Sequence, residues 1–160
     1  MKLLLDTHIW LWSVLEPERL SRRAAKEIQD ANNELWLSPI SVWELIVLWQ
    51  KGRVIPDEDI EAWVPHALRS LPLQEAPVTH EVARETGRLR LSHCDPADRF
   101  LLATAKVFEL TLVTADEHLL KARDVSVLAN RLNSYRRNSR PLNPYNCRLS
   151  PRPRLQVLSP

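Results

Sequence analysis

Short apolar runs alternate along this chain with longer stretches of helical periodicity. Lys2–Leu5, Leu35–Ser38 and Leu110–Thr114 are brief, apolar and bounded by polar or capping residues, the pattern of buried strands. Val125–Leu128 predicts a weaker fourth strand and Leu71–Gln74 a candidate fifth. Helical spacing covers 8–15, 21–32, 39–51, 57–69, 78–89, 95–108 and 116–122. Ser38-Pro39 and Asp95-Pro96 each put a capping residue before a proline suited to the first helical turn. Alternating strands and helices predict an α/β fold with a mostly parallel sheet of four to five strands, covered by helices on both faces.

From about Ala129 the pattern collapses. Residues 129–160 hold seven arginines, five prolines, no lysine and no acid, which predicts a disordered basic tail after a folded unit of residues 1–128. The formal net charge of +2 therefore misleads. Residues 1–128 carry 15 basic against 20 acidic residues, a net charge of −5, so bulk charge gives no argument for a nucleic-acid partner. The basic residues of 19–26 read as a solvated helix face, with RNA contact as the lesser alternative. Cys94 and Cys147 form no disulfide framework or CxxC pair, and a reducing, cytoplasmic compartment is the economical reading. The run Leu3–Leu5 is stopped by Asp6, too short for a signal peptide or a membrane span. With only two glycines, Gly52 and Gly87, no glycine-rich phosphate loop exists.

Four carboxylates converge on one edge of this predicted sheet. Asp6 ends the first strand, and Asp116 follows Leu110–Thr114 by two residues. Glu44 lies in the second turn of the helix after the second strand. Asp98 lies in the first turn of the helix that runs back into Leu110–Thr114, and therefore at the same carboxyl edge, where open α/β sheets bind ligands. Taken singly, Asp6, Asp98 and Asp116 each have a structural alternative at a helix start, and Asp95 reads as a helix cap. Glu44 is hardest to explain structurally, because Val42, Leu45, Ile46 and Trp49 surround it with an apolar helix. Such a cluster calls for a hard divalent cation, Mg²⁺ or Mn²⁺, since no Cys/His set points to zinc. None of the five histidines has metal spacing.

These residues also resemble a known family. Leu3-Leu4-Leu5-Asp6-Thr7-His8, Ser41-Val42-Trp43-Glu44, His93-Cys94-Asp95-Pro96-Ala97-Asp98-Arg99 and Thr114-Ala115-Asp116 are similar to the motifs of PIN-domain proteins. Closest are the VapC-type toxins of bacterial toxin–antitoxin pairs. The resemblance covers about residues 1–128 and implies a PIN-like three-layer fold and a Mg²⁺- or Mn²⁺-dependent endoribonuclease. Asp6, Glu44, Asp98 and Asp116 fall on the family's acidic quartet and Thr7 on its hydroxyl position. By that resemblance Asp6 and Asp98 are the principal metal ligands and Asp116 holds the metal or its water. Glu44 orients, or takes a proton from, the attacking water. His8 stands where many relatives have asparagine and receives no role. The implied partners are RNA, an antitoxin protein and a second copy of the chain. A PIN nuclease of RNA maturation or decay, and an inactive PIN-like interaction domain, are the alternatives. A dehalogenase-like phosphatase would need an acid where His8 stands.

The tryptophans extend this expectation. Trp49 shares a stripe with Val42 and Leu45 and reads as core, whereas Trp43 falls on the flank away from Leu45. Helix 8–15 is apolar almost all round. Both features predict an apolar surface for a protein partner.

Overall fold

The computed structural model of the chain describes residues 1–53, 59–89 and 95–131. Its centre is a five-stranded sheet in the order β3-β2-β1-β4-β5. The strands are β1 (Lys2–Leu5), β2 (Glu34–Leu37), β3 (Leu73–Glu75), β4 (Thr111–Thr114) and β5 (Val127–Ala129). Every neighbouring pair is parallel. Six α-helices flank it: α1 (Thr7–Leu15), α2 (Arg22–Gln29), α3 (Pro39–Gln50), α4 (Ile60–Arg69), α5 (His80–Thr86) and α6 (Pro96–Val107). This is the α/β architecture that the alternation of short apolar runs and helical spacing predicts.

Successive strand side chains face opposite layers, and the core divides accordingly. Leu3, Leu5, Leu35, Leu37, Val113 and Leu128 pack with Ile9, Trp10, Leu45 and Trp63 from α1, α3 and α4. Leu4 and Leu112 pack on the other face with Val82, Leu101 and Leu102 from α5 and α6. The chain leaves β1 toward β2 and β3, then crosses back beneath α5 and α6 to β4. Strand order therefore reverses between β1 and β4, and that opens a crevice at their carboxyl ends.

Several boundaries differ from the sequence reading for identifiable reasons. Helix 21–32 stops at Gln29 because Asp30 Oδ1 accepts from the backbone N–H of Asn32 at 2.9 Å, closing a turn. The strand at 71–74 begins two residues later, at Leu73, since Pro72 has no N–H for the ladder. Helix 78–89 is shorter, His80–Thr86, capped by the Thr79 hydroxyl accepting from Val82 N at 3.2 Å. Helix 116–122 is replaced by a single 3-10 turn, Leu119–Lys121, with only Leu119 buried. Asp116 Oδ1 accepts from the N–H groups of His118 and Leu119 at 2.6 and 3.2 Å, and one apolar anchor is too little to extend it.

The fold continues past Leu128. β5 runs to Ala129, and Asn130 is buried, its side chain hydrogen-bonded to Ser21 N and Arg19 O. Residues 57 and 58 of the expected fourth helix, His93, both cysteines and the tail from residue 132 lie outside the described residues. Among the described residues no helix is long and apolar enough to cross a membrane.

Candidate active site

The sheet carries two of the four acids on adjacent strands. Parallel pairing sets Leu5 opposite Val113, so the next residues, Asp6 and Thr114, meet at the carboxyl edge. The Thr114 hydroxyl donates to Asp6 Oδ2 at 2.6 Å, and Asp6 N donates to the Val113 carbonyl at 3.1 Å. Asp6 is only 5% exposed. A buried carboxylate needs hydrogen bonds to stay charged, and Thr114 supplies one while Oδ1 keeps its acceptor capacity. The Thr114 hydroxyl also accepts from Asp116 N at 3.0 Å, so one side chain orients both acids.

Glu44 is held from α1. The Thr7 hydroxyl, fully buried at the first position of α1, donates to Glu44 Oε2 at 2.7 Å. α3 starts at the carboxyl edge of β2, where Ser38 caps it by accepting from Ile40 N at 3.3 Å. One turn further on, Glu44 faces the crevice side of α1. Burial raises its pKa above the ordinary carboxylate value. The Thr7 hydrogen bond opposes that shift, while the Asp6 charge adds to it.

Asp98 sits in the first turn of α6, three residues after Asp95, whose Oδ1 caps the helix by accepting from Ala97 N at 2.9 Å. Burial, then the charges of Asp6, Asp116, Glu44 and Asp95, push the Asp98 carboxyl up to about 7. The order of causes is informative. Burial acts first, and every one of the other acids of the site is close enough to contribute.

The four acids thus share one electrostatic neighbourhood at the reversal crevice. They are not drawn into a ready-made cage: among the described residues no three His, Cys, Asp or Glu side chains form a close ligating group. An oxygen-only donor set, in which burial and then the neighbouring acids raise the Asp98 carboxyl to about 7, suits Mg²⁺ or Mn²⁺. Mg²⁺ takes one or two carboxylates directly and fills its octahedron with water. Asp95, read as a cap, is one, and its charge also raises Asp98 and Glu44.

Thr114 stands in a motif quoted from the sequence but received no role there. A threonine ending a strand is ordinary, and its signals were its place in that motif two residues before Asp116 and, once the register is known, its position opposite Asp6. Thr114→Val keeps the shape and removes both hydrogen bonds, leaving buried Asp6 without its donor. We expect a loss of about 2 kcal/mol in urea denaturation, with Thr114→Ser largely restoring it.

The tryptophans divide differently from the expectation. Trp10 and Trp12 are buried against the chain's own core, so α1 is covered without a partner. Trp43 is 51% exposed, as its flank position predicts. Trp49, expected in the core, is 38% exposed, because Leu45 and Leu48 take the buried stripe of α3.

Comparison with known proteins adds an independent line. Residues 3–125 match the family model described as PIN domain. The chain is 34% identical over 121 residues to Ribonuclease VapC22 of Mycobacterium tuberculosis, covering 75% of this chain and 91% of that relative. Among solved structures it is similar to VapBC2 from Rickettsia felis bound to a DNA fragment from the promoter. That likeness has a TM-score of 0.61 at 14% identity and covers 81% of this chain and 98% of the other. The DNA-bound VapBC from Salmonella typhimurium gives a TM-score of 0.59 at 18% identity over the same shares, 81% and 98%. At such identities the structural likeness concerns the fold alone.

Proposed function

We propose, from the premise that this chain belongs to the PIN-domain family, that it is a divalent-metal-dependent endoribonuclease and the toxin of a toxin–antitoxin pair. The observation that carries this reading is the convergence of Asp6, Glu44, Asp98 and Asp116 on one sheet edge, where burial first and then the neighbouring acids raise the Asp98 carboxyl to about 7. A relative 34% identical is named a ribonuclease, which favours RNA as the substrate, and a cytoplasmic site of action follows from such a substrate.

Asp6, Asp98 and Asp116 would hold Mg²⁺ or Mn²⁺. The bound cation supplies Lewis acidity and lowers the pKa of a water beside it. Thr114 holds Asp6 Oδ2, which would leave Oδ1 for the cation. Asp116 Oδ1 is occupied by the turn that follows it, which leaves Oδ2 for the site. Glu44, raised by burial and oriented through Oε2 by Thr7, is suited to accept a proton at Oε1 from the water that attacks the phosphodiester.

The inhibitor in this reading is a small protein. Exposed Trp43 adjoins Glu44 on α3 and offers an aromatic anchor beside the acids. A basic side chain from the partner, placed among the carboxylates, would compete with the cation. Two measurements test the proposal together. Labelled tRNA and rRNA should be cleaved with Mg²⁺ and left intact with EDTA. Co-expression with the product of the adjacent upstream reading frame should yield a complex that no longer cleaves. Cleavage that survives EDTA would overturn the metal assignment. Recovery of the nuclease alone, uninhibited, would favour an enzyme of RNA maturation. The mass of the purified chain reads the self-dimer in the same experiment.

A further inference from the structure

Arg22, Arg23 and Lys26 are exposed on α2, and spacing alone makes them a solvated face. Their place in the fold changes that reading. Ser21, the cap of α2, donates its backbone N–H to Asn130 Oδ1 at 2.5 Å, and Asn130 Nδ2 donates to the Arg19 carbonyl at 3.1 Å. Asn130 directly follows β5, and its own N–H donates to the Thr114 carbonyl at 2.8 Å. Thr114 is the residue whose hydroxyl holds Asp6. Successive hydrogen bonds therefore run from the Asp6 carboxylate to the start of α2 along the carboxyl edge of the sheet. β1, β4 and β5 are neighbours, so the path from Asp6 to Asn130 crosses two strand spacings, about 10 Å, before the further hydrogen bond to Ser21. Arg131, also exposed, follows Asn130 on the same rim.

Helix energetics do not explain these arginines. They occupy the first turn of α2, which has no acid, and there the helix dipole disfavours cations. Ion pairs join Arg19 to Glu16, and Arg88 and Lys106 to Glu85, and none of these engages Arg22 or Arg23. A local cost with no local compensation is what a functional surface carries. The acidic crevice also repels a polyanion, so a strand entering it needs cations close by.

We propose that Arg22 and Arg23, with Lys26 and Arg131, form a rail for the phosphate backbone of single-stranded RNA leading into the acidic site. The substrate class rests on the ribonuclease reading above; the rail itself concerns binding and is measured without cleavage.

The test is anisotropy of a labelled single-stranded RNA in EDTA, titrated with the full chain between about 50 and 200 mM salt. Each phosphate contact to a single strand contributes about 0.7 to the slope of log affinity against log salt, so Arg22→Ala/Arg23→Ala should flatten it by about 1.4. With Mg²⁺ the same variant should raise KM about tenfold and leave kcat within about twofold. Arg22→Glu/Arg23→Glu should bind still more weakly while melting no lower than the wild type, because acids suit that turn. A purely structural role would instead lower its melting temperature and leave the slope of the alanine variant unchanged, which would overturn the proposal. So would a wild-type chain that binds no RNA, or arginine variants that lose only the upstream protein partner. A wild type that binds with the expected slope and never cleaves would sink the ribonuclease reading and leave the rail standing.

Discussion

Asp6→Asn and Asp98→Asn are each expected to lower metal-dependent RNA cleavage by about 10²–10³-fold, the usual cost of removing one preorganised electrostatic group. Both substitutions keep the shape of the side chain. In Asp6→Asn the amide oxygen can still accept from Thr114, so the β1–β4 edge should stay intact. The loss should therefore appear in kcat and in the Mg²⁺ concentration that supports half-maximal cleavage. RNA affinity measured in EDTA should not weaken, since removing a negative charge near a polyanion favours binding if anything. Cleavage by either variant at the wild-type rate would remove that carboxylate from the proposed ligand set. Circular dichroism and a cooperative melt separate a lost ligand from a lost fold.

The second large effect has the opposite direction. Without metal, Asp98→Asn should be more stable than the wild type near neutral pH. The Asp98 carboxyl lies at about 7 in the folded chain against an ordinary value of 3.8. The folded state therefore binds more protons than the unfolded state between those limits, and stability falls as pH rises. The favourable contribution is complete below about pH 4 and is lost as pH passes through about 7. Such a shift corresponds to about 4 kcal/mol if fully expressed; solvent at this half-buried carboxyl reduces the expected effect to about 1–2 kcal/mol. Asp98→Asn should then melt about 3–8 °C above the wild type in EDTA at pH 7.5, and the gap should close at pH 4. Glu44, raised mainly by burial, slopes in the same direction, and because its charge acts on Asp98 the substitution relieves part of its strain as well. Mg²⁺ at about 100 times its Kd should restore about 2.7 kcal/mol to the wild type and narrow the gap at neutral pH. Equal melting temperatures at both pH values would mean that Asp98 does not feel its neighbours.

Stability and activity are thus set against each other at this sheet edge. Burial and like charge hold the Asp98 carboxyl in a state that the proposed cation would relieve, while Thr114 and Thr7 hydrogen-bond Asp6 and Glu44. The arginines at the start of α2 carry a smaller cost of the same kind.

Much of this was legible along the chain, because the strongest signals are local. A run such as Leu3–Leu5 can be buried only if it lies between two layers, and Ser38-Pro39 or Asp95-Pro96 starts a helix whatever surrounds it. With strands and helices alternating, right-handed crossovers leave few topologies, so the parallel sheet and the shared edge of Asp6, Glu44, Asp98 and Asp116 followed from order alone. Where a local signal was weak, the elements moved. Residues 116–122 offered one apolar anchor, Leu119, and became a single 3-10 turn. Trp49 lost the buried stripe of α3 to Leu45 and Leu48, a contest between neighbours that periodicity does not resolve.

Tertiary structure alone decided the rest, because it depends on residues far apart in sequence. Thr114 acts on Asp6 across 108 positions, through a strand register that no local pattern contains. Thr7 meets Glu44 only after α1 and α3 pack side by side. Asn130, at the start of an arginine-rich stretch, accepts from Ser21 N from 109 positions away and so ties the start of α2 to the end of β5. The sequence by itself determined which side chains bear charge and which segments must be buried. Folding determined which charges share a hydrogen bond, which repel one another, and which face the same ligand.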